Sequence, residues 1–140
     1  MGPLILVVYP VAKFLAYCVW CYVGLRLAGA PASGVATTLR LGATRWFLGL
    51  GFGILVFFFV GTIDASDAAR MYFLVYTPVR AVEWGIMAFL VARHAPANRR
   101  AATVTTLILW CAGGMIVSFL TDLLSPEGMQ GRFCVGRCLC

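Results

Sequence analysis

Charged side chains are scarce in this sequence of 140 residues. Asp, Glu, Lys and Arg together make up 11% of the chain and hydrophobic types make up 62%, whereas soluble domains carry about 25% charged residues. So few charges cannot cover the surface of a soluble domain, and a mean hydropathy of +0.94 agrees with this. The composition therefore excludes an ordinary soluble domain and predicts an integral membrane protein in contact with a lipid bilayer.

Acidic residues and histidine are scarcer still. There are 5 acidic residues against 11 basic ones, and His94 is the single histidine, which disfavours a histidine-based metal or haem site. No glycine-rich phosphate loop and no nucleophile–base pair is recognisable, so no cofactor is named and an enzyme is not favoured. The net charge of +6 does not indicate a nucleic-acid partner, because the arginines lie beside apolar runs rather than along one solvated face.

Four apolar runs are long enough to cross a bilayer, which takes about 20 residues per helix. They predict an all-α, four-helix transmembrane bundle in a single domain, with a short cysteine-containing tail at 125–140 and helices at 4–27, 46–63, 71–92 and 101–124. Proline, glycine and aspartate between these runs are typical of loops. An even number of spans puts both termini on the same side of the membrane. We expect this membrane to be a bacterial inner (plasma) membrane.

Orientation is predicted from the arginines, because cytoplasmic loops of membrane proteins carry an excess of basic residues. The loops 28–44 and 94–100 and their edges hold the excess, whereas in the second loop Arg70 stands against Asp64 and Asp67. We therefore predict that the first and third loops are cytoplasmic and that both termini lie outside.

Cysteine-accessibility labelling tests this orientation. A cysteine introduced by Ser33→Cys is expected to react only after the membrane is permeabilised, because it lies in the arginine-rich first loop. A cysteine introduced by Ser66→Cys, in the second loop, is the matched control and is expected to react from outside. Labelling of Ser33→Cys in intact cells or vesicles would reverse the assignment.

Two polar stripes run along the predicted first and third helices. Residues spaced by three or four share one helix face, and a charge facing lipid at the bilayer centre costs a few kcal/mol or more. The stripes must therefore face protein or water, and the similar depth of Lys13 and Arg80 predicts that they meet, with Pro10 and Pro78 bending the helices nearby. Their members are Tyr9, Lys13 and Tyr17 in the first helix, and Tyr72, Tyr76, Arg80 and Glu83 in the third.

The sequence does not specify what compensates the positive charge of the predicted cluster, or what the cluster does. Taken as ionised, Lys13, Arg80 and Glu83 sum to one positive charge, which burial disfavours unless a bound anion, water, a partner carboxylate or a neutral Lys13 compensates. The stripes could line a ligand site or pathway, fix the pairing of helices, or contact another subunit. A cavity touching Arg80 and Tyr76 would favour a ligand site, and close packing would favour the other two roles.

Small residues predict that the second and fourth helices pack closely, inside one bundle or between protomers. The second contains Gly49 and Gly53, and the fourth contains the run 112–114. Cys18 and Cys21 form a CxxC pattern inside a helix, which favours core packing over a thiol enzyme. Three further cysteines lie in the tail, where an oxidising exterior would allow one disulfide: Cys134, Cys138 and Cys140.

Two functions are consistent with these features. The first is a small carrier, channel or solute-binding protein that works through the polar stripes of the first and third helices. The second is a non-catalytic subunit or assembly factor of a larger membrane complex, or a homo-oligomer, in which the stripes fix helix contacts. The sequence identifies no substrate, and we assign the chain to no family on its sequence.

Overall fold

The computed structural model describes residues 3–30, 34–60, 68–96 and 100–125. It consists of four helices, α1 (Pro3–Leu27), α2 (Val35–Val60), α3 (Ala68–Ala92) and α4 (Arg100–Leu123). Each helix is long and apolar enough to cross a membrane, and these described residues contain no strand. The prediction of an all-α four-helix bundle is therefore confirmed. Ser33, Ser66 and the tail cysteines lie outside the described residues.

The start of α2 differs from the prediction. The sequence predicts that the second helix begins at residue 46, whereas α2 begins at Val35. Its first turns contain threonine and arginine, which are typical of a loop, but the helix accommodates them. The Thr44 hydroxyl donates a hydrogen bond of 2.8 Å to the carbonyl of Arg40 one turn back. The arginine at position 45, predicted as part of the loop edge, is consequently a helical residue that is fully buried.

Reciprocal tryptophan hydrogen bonds join α1 to α4. The indole nitrogen of Trp20 donates to the carbonyl of Trp110 at 3.1 Å, and the indole nitrogen of Trp110 donates to the carbonyl of Trp20 at 2.9 Å. Glycine allows this approach, because a Cβ atom at Gly24 or Gly113 would lie 2.5 Å from the facing indole ring. The small residues of α4 therefore serve packing within this bundle.

The neighbouring helix pairs are also joined through glycine. Trp84 of α3 is fully buried and lies against Gly114 of α4. Between α1 and α2, a Cβ atom at Gly42 would lie 3.1 Å from the Cα atom of Cys18, so the two backbones are nearly in contact. Cys18 and Cys21 are both buried and free, which confirms their predicted place in the core.

Large apolar side chains cover the outside of the bundle. Phe57, Phe58 and Phe59 near the end of α2 are exposed, as are Val19 on α1 and Leu109 on α4. A soluble protein would bury such side chains, whereas lipid tails solvate them. Their outward position is consistent with contact with a lipid bilayer.

Candidate functional site

The carboxylate of Asp122, in the last turn of α4, connects the two predicted polar stripes. Lys13 of α1 forms an ion pair with its Oδ1 atom, and Nη2 of Arg80 of α3 lies 2.9 Å from its Oδ2 atom. Lys13 and Arg80 therefore contact opposite oxygens of one carboxylate, as the predicted shared cluster requires. The connecting residue itself was not among the predicted site residues.

Two tyrosines complete the hydrogen bonds around Asp122. The Tyr72 hydroxyl donates to Oδ2 at 2.5 Å, and the Tyr9 hydroxyl donates to Oδ1 at 3.3 Å. Lys13 also donates to the Tyr9 oxygen at 2.9 Å. Four donors from α1 and α3 thus surround one carboxylate from α4, an arrangement that stabilises its negative charge in a buried position.

Glu83 forms the second centre of the cluster. Its Oε2 atom accepts a hydrogen bond from Nη1 of Arg80 at 2.9 Å and forms an ion pair with Nη2 of Arg45 at 2.8 Å. Both Glu83 and Arg45 are 0% exposed. Arg45 comes from α2, so Glu83 links α2 to α3 in the same way as Asp122 links α1, α3 and α4.

Aromatic rings hold the guanidinium group of Arg45 in place. Its Cζ atom lies 4.5 Å from the ring centroid of Tyr17 and 5.0 Å from that of Trp84, which are cation–π contacts. Its Nη2 atom also donates to the Ser118 hydroxyl at 3.1 Å, and that hydroxyl accepts from the indole of Trp84 at 3.0 Å. The cation is thereby fixed between side chains of α1, α3 and α4.

Five residues of alternating sign, which we call the charge chain, run through the bundle in the order Lys13, Asp122, Arg80, Glu83 and Arg45. All four helices contribute to it. Removal of one partner from a buried ion pair leaves an uncompensated charge and costs several kcal/mol, so such pairs determine which helices can associate. The charge chain therefore explains how a bundle with a lipid-facing exterior acquires a defined arrangement of helices.

The charge chain carries three cations and two carboxylates, so one positive charge remains. The end of α4 offsets part of it, because a helix C-terminus carries roughly half a negative charge. The amide of Ser125 closes this end on the carbonyl of Asp122 at 3.0 Å, next to Lys13 and Arg80. Arg45 stands at the other end of the charge chain and does not share this compensation.

Several buried polar atoms at the Arg45 end lack hydrogen-bond partners among the described residues. They are the Tyr17 hydroxyl, Nε and Nη1 of Arg45, Nε of Arg80 and Oε1 of Glu83. Gly49 lies beside two of them, since a Cβ atom there would be 3.2 Å from Nη1 of Arg45 and 3.9 Å from Oε1 of Glu83. Glycine at position 49 therefore lets the backbone of α2 approach these polar groups closely.

All seven predicted site residues are buried and lie in this one region. Tyr76 contributes its ring, which packs on Tyr72 with a centroid distance of 4.9 Å and lies 5.7 Å from Cζ of Arg80. Grooves on the outside of the bundle are lined by residues other than Arg80 and Tyr76. Arg80 and Tyr76 are 2% and 3% exposed, so both side chains are packed against other parts of the bundle.

Arg45 and Asp122 are not among the site residues that the sequence predicts. The prediction places Arg45 at the edge of the first loop and counts Asp122 among the charges of the carboxy-terminal tail. A signal was available in the surplus positive charge, which a carboxylate is one way to compensate, and in the spacing of Ser118 and Asp122 by four residues on one face of a helix. That spacing predicts a polar face on α4 as well as on α1 and α3.

The fold and composition together identify a small polytopic membrane protein, with four candidate transmembrane helices. They leave its biochemical role to be inferred from the charge chain and from the surface of the bundle. Comparison of the chain with protein-family models, with curated proteins and with solved structures found no match.

Proposed function

We propose that the protein acts as a non-catalytic subunit or assembly partner in a larger membrane complex, by binding a transmembrane helix of another chain. The observation that carries this proposal is an outward-facing stripe of small residues on α3. Its members line one wall of a groove between α3 and α4, to which the exposed ring of Phe89 also contributes: Ala81, Gly85, Ala88 and Ala92.

The groove has the shape and chemistry that a transmembrane helix needs. Its volume is about 470 Å³, and nothing lies within 4 Å of a Cβ atom built at Gly85. Small residues let two helix backbones approach closely, which is a main source of helix association in membranes. The opposite wall on α4 supplies apolar side chains, among them Leu107, Cys111 and Met115.

The burial and ion pairing of the charge chain favour a subunit over a carrier or channel. A carrier would expose its charged groups to water along a pathway, whereas Arg45 and Glu83 are fully buried and ion-paired. In this proposal Tyr9, Lys13, Arg80 and the other residues predicted to form a pathway hold the four helices together. The proposal also includes two predictions made from the sequence. The first and third loops are cytoplasmic, and the membrane is a bacterial plasma membrane.

A mass measurement in mild detergent tests the proposal. The native protein is expected to co-purify with at least one unrelated membrane chain, and Gly85→Leu is expected to lose that chain because the new side chain fills the groove. Gly51→Leu is the matched control, since Gly51 on α2 is also exposed with nothing within 4 Å of its Cβ position. This control is expected to retain the partner.

Two results would contradict the proposal. One is a monomer in mild detergent, for the native protein and both variants alike. The other is a homo-oligomer that Gly85→Leu dissociates, which would make the groove an interface between copies of this chain. Retention of the unrelated chain by Gly85→Leu would exclude the groove as its binding site.

A further inference from the structure

The surplus positive charge of the charge chain is concentrated at its Arg45 end. The end of α4 lies next to Lys13 and Arg80, where the partial negative charge of the helix C-terminus acts only at short range. Arg45 has one carboxylate contact, to Glu83, and shares that carboxylate with Arg80. Compensation is therefore needed around Arg45.

Hydrogen-bond donors without acceptors lie in the same place. Tyr17 is 1% exposed, and its ring centroid lies 4.5 Å from Cζ of Arg45. Among the described residues the Tyr17 hydroxyl has no hydrogen-bond partner, and neither does Nε of Arg45 or of Arg80. Buried donors without acceptors are rare in folded proteins, so this group of donors indicates a binding site for an acceptor.

We propose that one monovalent anion of the size of chloride or bromide binds beside the Tyr17 hydroxyl and the guanidinium group of Arg45. The anion accepts hydrogen bonds from these donors and balances the formal charges of the five residues in the charge chain.

Charge balance selects this class of ligand. Water would satisfy the donors but would leave the positive charge in place, and a divalent anion such as sulfate would replace it with a negative one. The anion site goes beyond the proposed subunit function, and neither proposal depends on the other.

Thermal unfolding of the purified protein in detergent tests the site. At constant ionic strength, replacing gluconate by chloride or bromide is expected to raise Tm along a saturable curve, because a ligand that binds only the folded state stabilises it by mass action. Sulfate at the same ionic strength is expected to leave Tm at its gluconate value. Bromide added to crystals is expected to give one anomalous peak beside Tyr17.

Tyr17→Phe separates the site from a general salt effect. This variant keeps the ring over Arg45 and removes only the hydroxyl, so the halide concentration for half of the Tm shift is expected to rise at least tenfold. Tyr22→Phe is the matched control, because Tyr22 is an exposed tyrosine on the same helix. Its halide response is expected to equal that of the native protein.

The inference is overturned if Tm is the same in halide and gluconate, or if Tyr17→Phe keeps the native halide response. A water molecule in place of the bromide peak would overturn it as well. If Tyr17→Phe does not fold, the Tm and bromide measurements on the native protein decide. None of these results depends on whether Gly85→Leu loses a partner chain.

Discussion

Replacing Glu83 with glutamine is expected to lower the free energy of unfolding by about 3–5 kcal/mol, the usual cost of removing one partner from a buried ion pair. Oε2 of Glu83 forms ion pairs with both Arg45 and Arg80, so a neutral amide leaves two buried guanidinium groups without this carboxylate. Equilibrium unfolding in mixed micelles measures the effect. Arg40→Gln is the control, because Arg40 lies on α2 with its side chain exposed.

A double variant tests whether the effect comes from coupled charge. Glu83→Gln together with Arg45→Gln leaves Lys13, Arg80 and Asp122, which have the same formal surplus as the native charge chain. The loss of unfolding free energy in the double variant is therefore expected to be smaller than the sum of the single losses by about 0.5–3 kcal/mol. Additive losses, or a Glu83→Gln variant as stable as the native protein, would mean that these charges are solvated.

The architecture was predictable because it depends on quantities that a sequence contains directly. The length and hydropathy of each run specify a membrane span, and spacing by three and four residues places Tyr72, Tyr76, Arg80 and Glu83 on one face. The cost of charge in lipid then requires that face to meet the stripe containing Lys13. None of these steps needs knowledge of how the helices are placed against one another.

The two missed members of the charge chain depend on the relative placement of helices along the membrane normal. Asp122 lies in the last turn of α4, yet it contacts Lys13, which lies about ten residues along α1, roughly 15 Å from its start. The sequence does not specify this offset of one helix against another along the membrane normal. Arg45 was missed for a related reason, since polar residues at the start of α2 resemble a loop until the bundle is seen to bury one of them.

Packing by glycine was predictable only in part. The glycines of the fourth helix were expected to allow close approach, and Gly113 and Gly114 do so inside the bundle, beneath Trp20 and Trp84. The stripe on α3 was not singled out, because alanine is common in every helix. What distinguishes its alanines is their outward position beside Gly85, and this position depends on the rotation of α3 in the bundle.

A Cβ atom at position 114 is expected to be incompatible with the native contact between α3 and α4. It would lie 2.5 Å from Cδ2 of Trp84. The indole cannot easily move away, because its nitrogen donates to Ser118 and its ring packs edge-on against Trp110 at a centroid distance of 5.1 Å. Gly114→Ala is therefore expected to lower the free energy of unfolding by about 1–3 kcal/mol, as overpacking of a core does.

The matched control is Gly51→Ala, where nothing lies within 4 Å of the added methyl group. Alanine is favoured over glycine in a helix by about 0.5–1 kcal/mol, so this variant is expected to unfold at or above the native denaturant concentration. A smaller ring should relieve the overpacking, and Trp84→Phe combined with Gly114→Ala is expected to lose less stability than the two single variants together. If Gly114→Ala were as stable as Gly51→Ala, Trp84 could not lie against α4 as described, and the position of the neighbouring Glu83 would have to change with it.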